Sequence, residues 1–510
     1  MLGEDTSMLV LTVDHVPASF QDQAAWFTHA IPFFACPDSS FEEIYYFRWS
    51  VYHKHIRHTP DGYVVTEFLP DVSWAGKHNT ISATASHHLY EGRWLRDQVY
   101  LDDYSNFWFR SAEAAPRTYS SWLANALYAR YLVSGDATLP LSLLDDLVAN
   151  YEQWEAERSD PSGLFWQIDD RDGMEYQISG SGCRPTLNSY LYGDALAIAR
   201  FARLAGRTDL STVYEAKAAR LKSLVQGLLW DTDDQFFKTL PTAAALQQHA
   251  LRYREGAMEP HYPAGKLVDV RELQGYIPWY FNLPDPGYEG AWRQLCDPQG
   301  FAAPYGPATA ERRSPYWWPA PVEDQHDCLW RGSSWPFATS QTLTALANLL
   351  NTYDQQVISS RDYFDTLHGY TRTHYLMRAD GQCVPWIDES VHPDTGEWVT
   401  STILYKRHNK NKDRGRDYNH STFVDHVITG LVGLRPRADE MLELNPLLPA
   451  GQWSYFCLDA VRYHSHLLTI LYDQDGSQYG RGAGLHVYAD GVRIGSRADL
   501  GRLLVPLPRP

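Results

Sequence analysis

Two glutamates in distant, aromatic segments are the residues of this chain best suited to acid–base chemistry. Glu175 lies in the segment Gly173-Met-Glu-Tyr176, and Glu389 ends the segment Pro385-Trp-Ile-Asp-Glu389. Apolar neighbours take water away from a carboxyl group, and this raises the pKa of an acid. Since 389 − 175 = 214 residues separate them, two different loops must bring them together. An isolated glutamate in a loop is more often a solvated surface residue, so the apolar context carries the prediction.

Such a pair can break a glycosidic bond with inversion at the sugar. One carboxylic acid protonates the leaving oxygen, while one carboxylate activates a water molecule on the opposite face of the ring. Trp330-Arg-Gly-Ser-Ser-Trp335 adds two indoles and a guanidinium. The 18 Trp and 33 Tyr of the chain suit stacking on sugar rings as well as core packing. The residues therefore predict an acid–base site that holds a sugar.

The histidines favour hydrogen bonding over metal binding. His87 and His88 are adjacent, and His420 and His426 are six residues apart, so neither pair has the i, i+4 spacing of a zinc-binding helix. His420 is expected to donate a hydrogen bond to a sugar hydroxyl. Asp231-Thr-Asp-Asp234 is more typical of a polar turn than of a calcium site. We expect no metal and no cofactor.

The net charge, the apolar stretches and the cysteines of the chain limit the kinds of partner and compartment that we expect. A net charge of −18 argues against nucleic acid or an anionic membrane as partner, so a small-molecule carbohydrate is expected, and no apolar stretch is long enough to span a bilayer. The six cysteines contain no Cys-x-x-Cys pair and favour free thiols in a reducing compartment. We expect no signal peptide and a cytoplasmic location. The sequence predicts no oligomeric state.

Amphipathic helices arrive in pairs from about residue 115 to residue 434, each pair joined by a short turn. Without a fixed repeat period, closure into a toroid is favoured over an open solenoid. The basic stretch Lys406–Arg416 is expected to be a mobile, solvated loop, or else a lid over the site. The predicted helix pairs are 119–133 with 141–156, 188–204 with 213–229, and 335–350 with 363–376.

Three regions are predicted. Residues 1–89 form an N-terminal segment packed on the edge of the barrel, with 41–48 helical and 63–68 extended. Residues 90–436 form the helical catalytic domain. Residues 437–510, where short apolar runs alternate with Gly, Asp and Ser, form a small β-sandwich-like domain.

Taken in order, the motifs resemble those of glycoside hydrolase family 63 and its trehalase-like relatives. The ordered set is Gly173-Met-Glu175, Leu187-Asn-Ser-Tyr-Leu-Tyr192, Trp330-Arg-Gly-Ser-Ser-Trp335, and Asp388-Glu389 followed by Pro393-Asp-Thr-Gly-Glu397. Tyr100-Leu-Asp-Asp-Tyr104 is similar to an element of trehalases. The resemblance covers about residues 90–435.

The resemblance implies a mainly α fold, an (α/α)6 toroid of six helical hairpins, with single-displacement hydrolysis and no obligatory metal. By position, Glu175 is then the general acid and Glu389 the general base. The family carries Asp where this chain has Glu175, so Asp172 is the reserve acid. Core packing is the alternative for several of the predicted substrate contacts, and a structural ion pair is the alternative for Arg331. The predicted substrate-binding residues are Arg48, Trp49, Arg96, Tyr100, Asp102, Asn188, Trp330, Arg331, Gly332, Trp335, Trp386 and His420, with Glu67 and Trp74 as further walls.

These observations predict an inverting, exo-acting glycoside hydrolase that releases a terminal sugar, with an α-glucoside as first choice, from a small glycoside or oligosaccharide. A sugar epimerase or isomerase on a similar toroid, in which histidines transfer the protons, is the alternative enzyme. A carbohydrate-binding protein without turnover is the alternative outside enzymes.

Overall fold

The computed structural model describes residues 10–252, 262–319 and 326–509 of the chain. Its α-helices, in chain order, are α1 (Ala24–Ala30), α2 (Ser39–His55), α3 (Ser82–Gly92), α4 (Val99–Arg110), α5 (Leu123–Ser134), α6 (Thr138–Ser142), α7 (Leu144–Arg158), α8 (Pro185–Leu204), α9 (Thr208–Leu228), α10 (Ala243–Arg252), α11 (Ile277–Tyr280), α12 (Pro336–Thr352), α13 (Ser360–Thr373), α14 (Val399–Lys406) and α15 (Val424–His426). A 3-10 helix, Leu273–Tyr276, leads into α11, another spans Glu289–Leu295, and a π-helical turn, Val427–Leu431, extends α15.

Six of these segments form a closed inner ring. Helix α3 packs on α5, α5 on α8, α8 on α11, α11 on α12, α12 on α15, and α15 returns to α3. Along the chain they alternate with six outer segments, which are α2, α4, α7, α9, Glu289–Leu295 and α13. The predicted mainly α fold, a toroid of six helical hairpins with a small C-terminal β-region, is confirmed.

The N-terminal region takes part in this ring. Helix α2 packs against α13 and α15, and α3 begins at Ser82, so the boundary predicted at residue 90 falls inside a helix of the inner ring. The stretch predicted as helical at 41–48 lies within α2, and the strand Gly62–Val65 overlaps the first part of the region predicted as extended, 63–68. The division into three domains stays a prediction.

The inner helices are buried on nearly all sides, which explains why their residues are small or apolar. In α8, Pro185 occupies the first turn, where a missing N–H costs nothing. Gly193 faces α11 so closely that a Cβ atom there would lie 2.2 Å from Cδ1 of Phe281. Only glycine permits this approach of two inner helices.

The C-terminal residues form two antiparallel sheets. One has the order β1-β12-β13-β14-β15 and the other the order β10-β11-β16. Since Phe33 pairs with Asp459, the N-terminal segment supplies an edge strand to the C-terminal sheet. The strands are β1 (Phe33–Ala35), β2 (Ile56–Thr59), β3 (Gly62–Val65), β4 (Trp166–Gln167), β5 (Gly182–Cys183), β6 (Trp230–Asp231), β7 (Phe236–Phe237), β8 (Tyr375–Met377), β9 (Cys383–Pro385), β10 (Leu434–Arg435), β11 (Met441–Leu444), β12 (Tyr455–Tyr463), β13 (His466–Asp473), β14 (Gly484–Ala489), β15 (Val492–Arg497) and β16 (Leu503–Pro506).

Two further findings concern membranes and thiols. Among the described residues, no helix has both the length and the apolar character needed to cross a bilayer. All six cysteines are free.

Candidate active site

A cavity of about 220 Å³ lies at the ends of the inner helices where α3 and α12 begin. Ala83 and Thr84 of α3 and Phe337 of α12 form part of its wall. Its carboxyl groups come from five different positions in the chain, and its aromatic rings surround them. The carboxyl-bearing residues are Glu67, Asp170, Glu175, Asp327 and Glu389, and the aromatic residues include Phe68, Trp74, Tyr119, Trp330, Trp335, Phe337 and Tyr418.

The two predicted catalytic glutamates line this one cavity. Glu175 sits on the loop that leads into α8, and Glu389 on the loop between β9 and α14. Within the described part of the chain no hydrogen bond joins their carboxyl groups, so the cavity between them is open to a ligand. The fold thus brings together two residues that lie 214 positions apart in the sequence (389 − 175), as the sequence predicts.

Glu175 is held in an environment that keeps it protonated. Burial raises the pKa of its carboxyl well above the usual range, and the carboxylates of Asp170 and Glu389 raise it further. The residue that follows, Tyr176, has a left-handed backbone with φ of 57°, which is unusual for a side chain of this size. A carboxylic acid that stays protonated near neutral pH can donate a proton.

The carboxyl group of Glu389 accepts charge-assisted hydrogen bonds. Its side chain is buried, and its Oε1 accepts from Nε of Arg414 at 2.7 Å. Its Oε2 accepts from Nη2 of Arg414 at 3.2 Å and from Sγ of Cys328 at 3.2 Å. Arg414 also pairs with Asp327 and lies 5.3 Å from the ring of Trp74. A permanently charged guanidinium favours the ionised form of the carboxyl groups that it contacts.

The segment Trp330–Trp335 connects the two glutamate loops. The backbone N–H of Trp330 donates to the carbonyl of Glu175 at 3.2 Å, and Nε of Arg331 donates to the carbonyl of Tyr176 at 2.7 Å. At its other end, Ser334 and Val391 exchange two backbone hydrogen bonds of 2.8 Å. One short segment therefore fixes the loop of the acid and the loop of the base relative to each other.

The same segment shapes the cavity wall. The indoles of Trp330 and Trp335 stack with centroids 4.3 Å apart and planes 12° apart. Gly332 has φ of +142°, and a Cβ atom there would lie 2.6 Å from Nε1 of Trp317. Arg331 and Gly332, both predicted as substrate contacts, are not among the residues described as lining the cavity. Gly332 has a backbone role instead, because glycine lets the chain pass beneath a tryptophan ring.

Glu67 is a third buried carboxyl group in the cavity. It accepts a short hydrogen bond from the hydroxyl of Tyr418, and burial raises its pKa to about 8. The ring of Tyr418 lies 3.7 Å from that of His420, which also lines the cavity. Together they form a polar wall suited to sugar hydroxyls.

One group of side chains among the described residues has the spacing of a metal site. Ligand atoms of Asp327, Cys328 and Glu389 lie within 4.8 Å of one another. However, Arg414 donates to both carboxylates and lies 3.4 Å from Sγ of Cys328. Its positive charge occupies the position that a cation would need, so these residues do not fit a metal ion.

Several predicted site residues lie elsewhere because tertiary partners use their polar groups. The carboxyl group of Asp172 is buried and bound by Nε of Arg184 at 2.5 Å and by Thr186. This places the reserve acid in a structural ion pair outside the cavity. Asn188 binds the backbone N–H and carbonyl of Phe165, both at 2.8 Å, so it anchors β4 to α8 rather than a sugar.

The predicted contacts from the N-terminal half are structural as well. Arg48 is buried and donates to the hydroxyl of Tyr370 and the carbonyl of Ser421, and Trp49 is fully buried in the core. Asp102 pairs with Arg130 on the outer side of the ring. The alternative of core packing therefore holds for Arg48 and Trp49.

Three further predicted contacts are also outside the cavity. Arg96 donates to the carbonyl groups of Ile31 and Ala460 and ties α1 and the C-terminal sheet to the ring. Tyr100 packs edge-on against Tyr63 at 4.9 Å. Trp386 faces Arg416 at 5.6 Å.

Arg414 is the functional residue that sequence reasoning missed. The expectation of a mobile, solvated stretch at Lys406–Arg416 is wrong at this residue, because Arg414 is buried against Glu389. The sequence signal that could have identified Arg414 is a cluster of basic residues shortly after the predicted general base, in a chain that is otherwise acidic. Glu67 and Trp74, predicted as possible walls, do line the cavity.

Comparison with known proteins identifies similar domains. The model of the "Mannosylglycerate hydrolase MGH1-like glycoside hydrolase domain" matches residues 77–421, and that of the "Glycosyl hydrolase family 65, C-terminal domain" matches residues 434–494. A solved structure titled "Sialidase" is 42% identical with a TM-score of 0.84, over 96% of this chain and 42% of that chain. This chain thus spans less than half of that protein.

Two more distant solved structures are also similar. A GH78 family rhamnosidase of Bacillus sp. GL1 is 11% identical with a TM-score of 0.54, over 90% of this chain and 43% of that chain. A GH63 mannosylglycerate hydrolase from Thermus thermophilus, in complex with glucose, is 13% identical with a TM-score of 0.49, over 71% of this chain and 99% of that chain.

The buried carboxyl group of Glu67 predicts a pH dependence of stability. Its pKa rises from 4.5 in the unfolded chain to about 8 in the folded protein, so stability falls as pH rises through this window, because only the unfolded chain releases the proton. Relative to the native protein, Glu67→Gln should gain about 1–3 kcal/mol of stability between pH 5 and pH 8. Thermal unfolding at both pH values measures this, with the exposed Glu152→Gln as matched control. A gain that does not change with pH would contradict the assignment.

Proposed function

This chain belongs to the MGH1-like glycoside hydrolase family, and from that premise we propose that it is a glycosidase that removes a terminal sugar by single displacement, with inversion at the anomeric carbon. The family match over residues 77–421 confirms the resemblance to family 63-like glycosidases that the motifs predict. The epimerase and the binding protein without turnover are not favoured by it.

The observation that carries the proposal is the unequal pair of carboxyl groups in one cavity. Glu175, protonated because it is buried beside other carboxylates, is the general acid that protonates the leaving oxygen. Glu389, charged and held by Arg414, is the general base that takes a proton from the attacking water. Inversion requires these two opposite protonation states at the start of the reaction.

The stacked tryptophans and the neighbouring polar wall would bind the sugar itself. Trp330 and Trp335 offer an indole surface for the apolar face of the ring, while Tyr418 and His420 offer polar groups to its hydroxyls. A cavity of about 220 Å³ suits a single sugar unit, which supports exo action. No part of this assignment uses a metal ion.

Two sugars are candidates for the unit that is released. A terminal sialic acid is favoured by the 42% identity to the sialidase structure over 96% of this chain. An α-glucoside, which the motifs favour, is the second candidate. The cavity itself does not decide between them: burial keeps Glu67 and Glu175 protonated, but the charge of Arg414 is already shared by Glu389 and Asp327, so the sequence identity alone sets the order. We therefore place sialic acid first. A cytoplasmic location, which the free thiols favour, is part of the same proposal.

The roles of the acid and the base can be distinguished by comparing substrates with different leaving groups. Glu175→Gln should lose about three orders of magnitude or more in rate on an unactivated glycoside, but far less on a dinitrophenyl glycoside, whose leaving group needs no proton. Glu389→Gln should be equally impaired on both substrates, because water still needs a base. Initial rates on the two substrates measure this.

Glu397→Gln is the control for this experiment, because Glu397 is exposed on the same loop as Glu389. It should retain the native rates. Full activity of Glu175→Gln on the unactivated glycoside would remove this residue from the mechanism.

The substrate assignment requires a panel of aryl and natural α-sialosides and α-glucosides, assayed for the free sugar. We expect release of sialic acid, lost in Glu389→Gln and retained in Glu397→Gln. Release of glucose without sialic acid would replace the first candidate by the second. Absence of any free sugar from the panel, with ligand-induced thermal stabilisation, would instead support a binding protein.

A further inference from the structure

A thiol contacts the carboxylate of Glu389 inside the cavity. Cys328 lies on the cavity wall two residues before Trp330, and its Sγ is 3.2 Å from Oε2 of Glu389. Its next acceptor, Oδ2 of Asp327, is farther away at 3.9 Å. Burial raises the pKa of the thiol well above its usual range. The group is therefore an S–H donor at neutral pH rather than a thiolate.

The two oxygens of Glu389 are not held equally. Oε1 accepts the shorter bond from Arg414, at 2.7 Å, whereas Oε2 accepts the longer one, at 3.2 Å, together with the thiol. Without the thiol, Oε2 keeps only the longer bond. Arg414 alone then holds the plane of the carboxylate, and Oε2, left with one bond of 3.2 Å, is fixed less firmly in its direction.

We propose that Cys328 is a positioning residue for the general base, whose S–H bond fixes the carboxylate of Glu389 in its ionised, oriented form. The inference rests on the proposed function, since it requires Glu389 to act as the base. Cys328 itself takes no part in bond making or breaking. It acts through the direction and the ionisation of its neighbour.

The charges around Glu389 explain why a single weak donor matters. Glu67, Glu175, Asp327 and Asp388 face it or flank it, and every one of them that is ionised opposes its negative charge. Tyr418 and His420 also face it from the cavity wall. Arg414 and the thiol of Cys328 are the two groups that donate to the carboxylate among the described residues. Removal of a donor to the charged form raises the pKa of a carboxyl group.

The test compares the pH profiles of kcat/KM for Cys328→Ala and Cys328→Ser on a substrate that the native enzyme hydrolyses. The acidic limb reports ionisation of the general base. For Cys328→Ala we expect its midpoint to move upward by about half a pH unit or more, with kcat lowered several-fold and KM little changed. Cys328→Ser keeps a donor, so it should return the midpoint close to the native value. Cys383→Ala is the control, because Cys383 is exposed and away from the cavity.

The outcomes distinguish this inference from the proposed function. An unmoved acidic limb in Cys328→Ala, with Glu389→Gln inactive, overturns the role of the thiol and leaves the base in place. An equal shift in the alanine and serine variants overturns the hydrogen-bond explanation in favour of packing. An active Glu389→Gln overturns the proposed base, and the inference with it.

Discussion

The structure depends on one electrostatic constraint, namely that several carboxyl groups share a cavity in which Arg414 supplies the one guanidinium among the described lining residues. Burial penalises each charge, and mutual repulsion prevents all of them from ionising together. Among the described residues Arg414 pairs with Glu389 and makes no ion pair with Glu175, whose carboxyl burial keeps protonated. The proposed acid and the proposed base are therefore two identical side chains in different surroundings. The difference lies in which of them the guanidinium reaches.

This constraint works only if the two loops cannot move apart. The toroid provides rigid helix ends, and the segment Trp330–Trp335 provides the direct connection, since it is hydrogen-bonded to the Glu175 loop at one end and to Val391 at the other. The stacked indoles of that segment also form part of the cavity wall. One short stretch of chain therefore both positions the carboxyl groups and shapes the cavity between them.

The residues that can be located from the sequence are those that carry a local signal. The helical hairpins, Glu175, Glu389, Trp330, Trp335 and His420 can be located because periodicity and local apolar context are readable along the chain. Asn188, Asp172 and Asp102 have types that suit a sugar, but their partners are Phe165, Arg184 and Arg130, which no local pattern identifies. Arg414 escapes prediction for the same reason: its burial depends on a loop 25 residues away in the sequence. Residue type predicts chemistry, whereas tertiary contacts decide which polar groups remain available.

The most direct test of a protonated Glu175 facing an ionised Glu389 is the stereochemistry of the first product. Proton NMR during the first minutes of hydrolysis, before mutarotation, shows which anomer of the free sugar is formed. The account predicts the anomer opposite to that of the substrate, because water attacks as the protonated leaving group departs. A retained anomer would contradict it and would require a carboxylate of the cavity, such as Glu389, to act as a nucleophile.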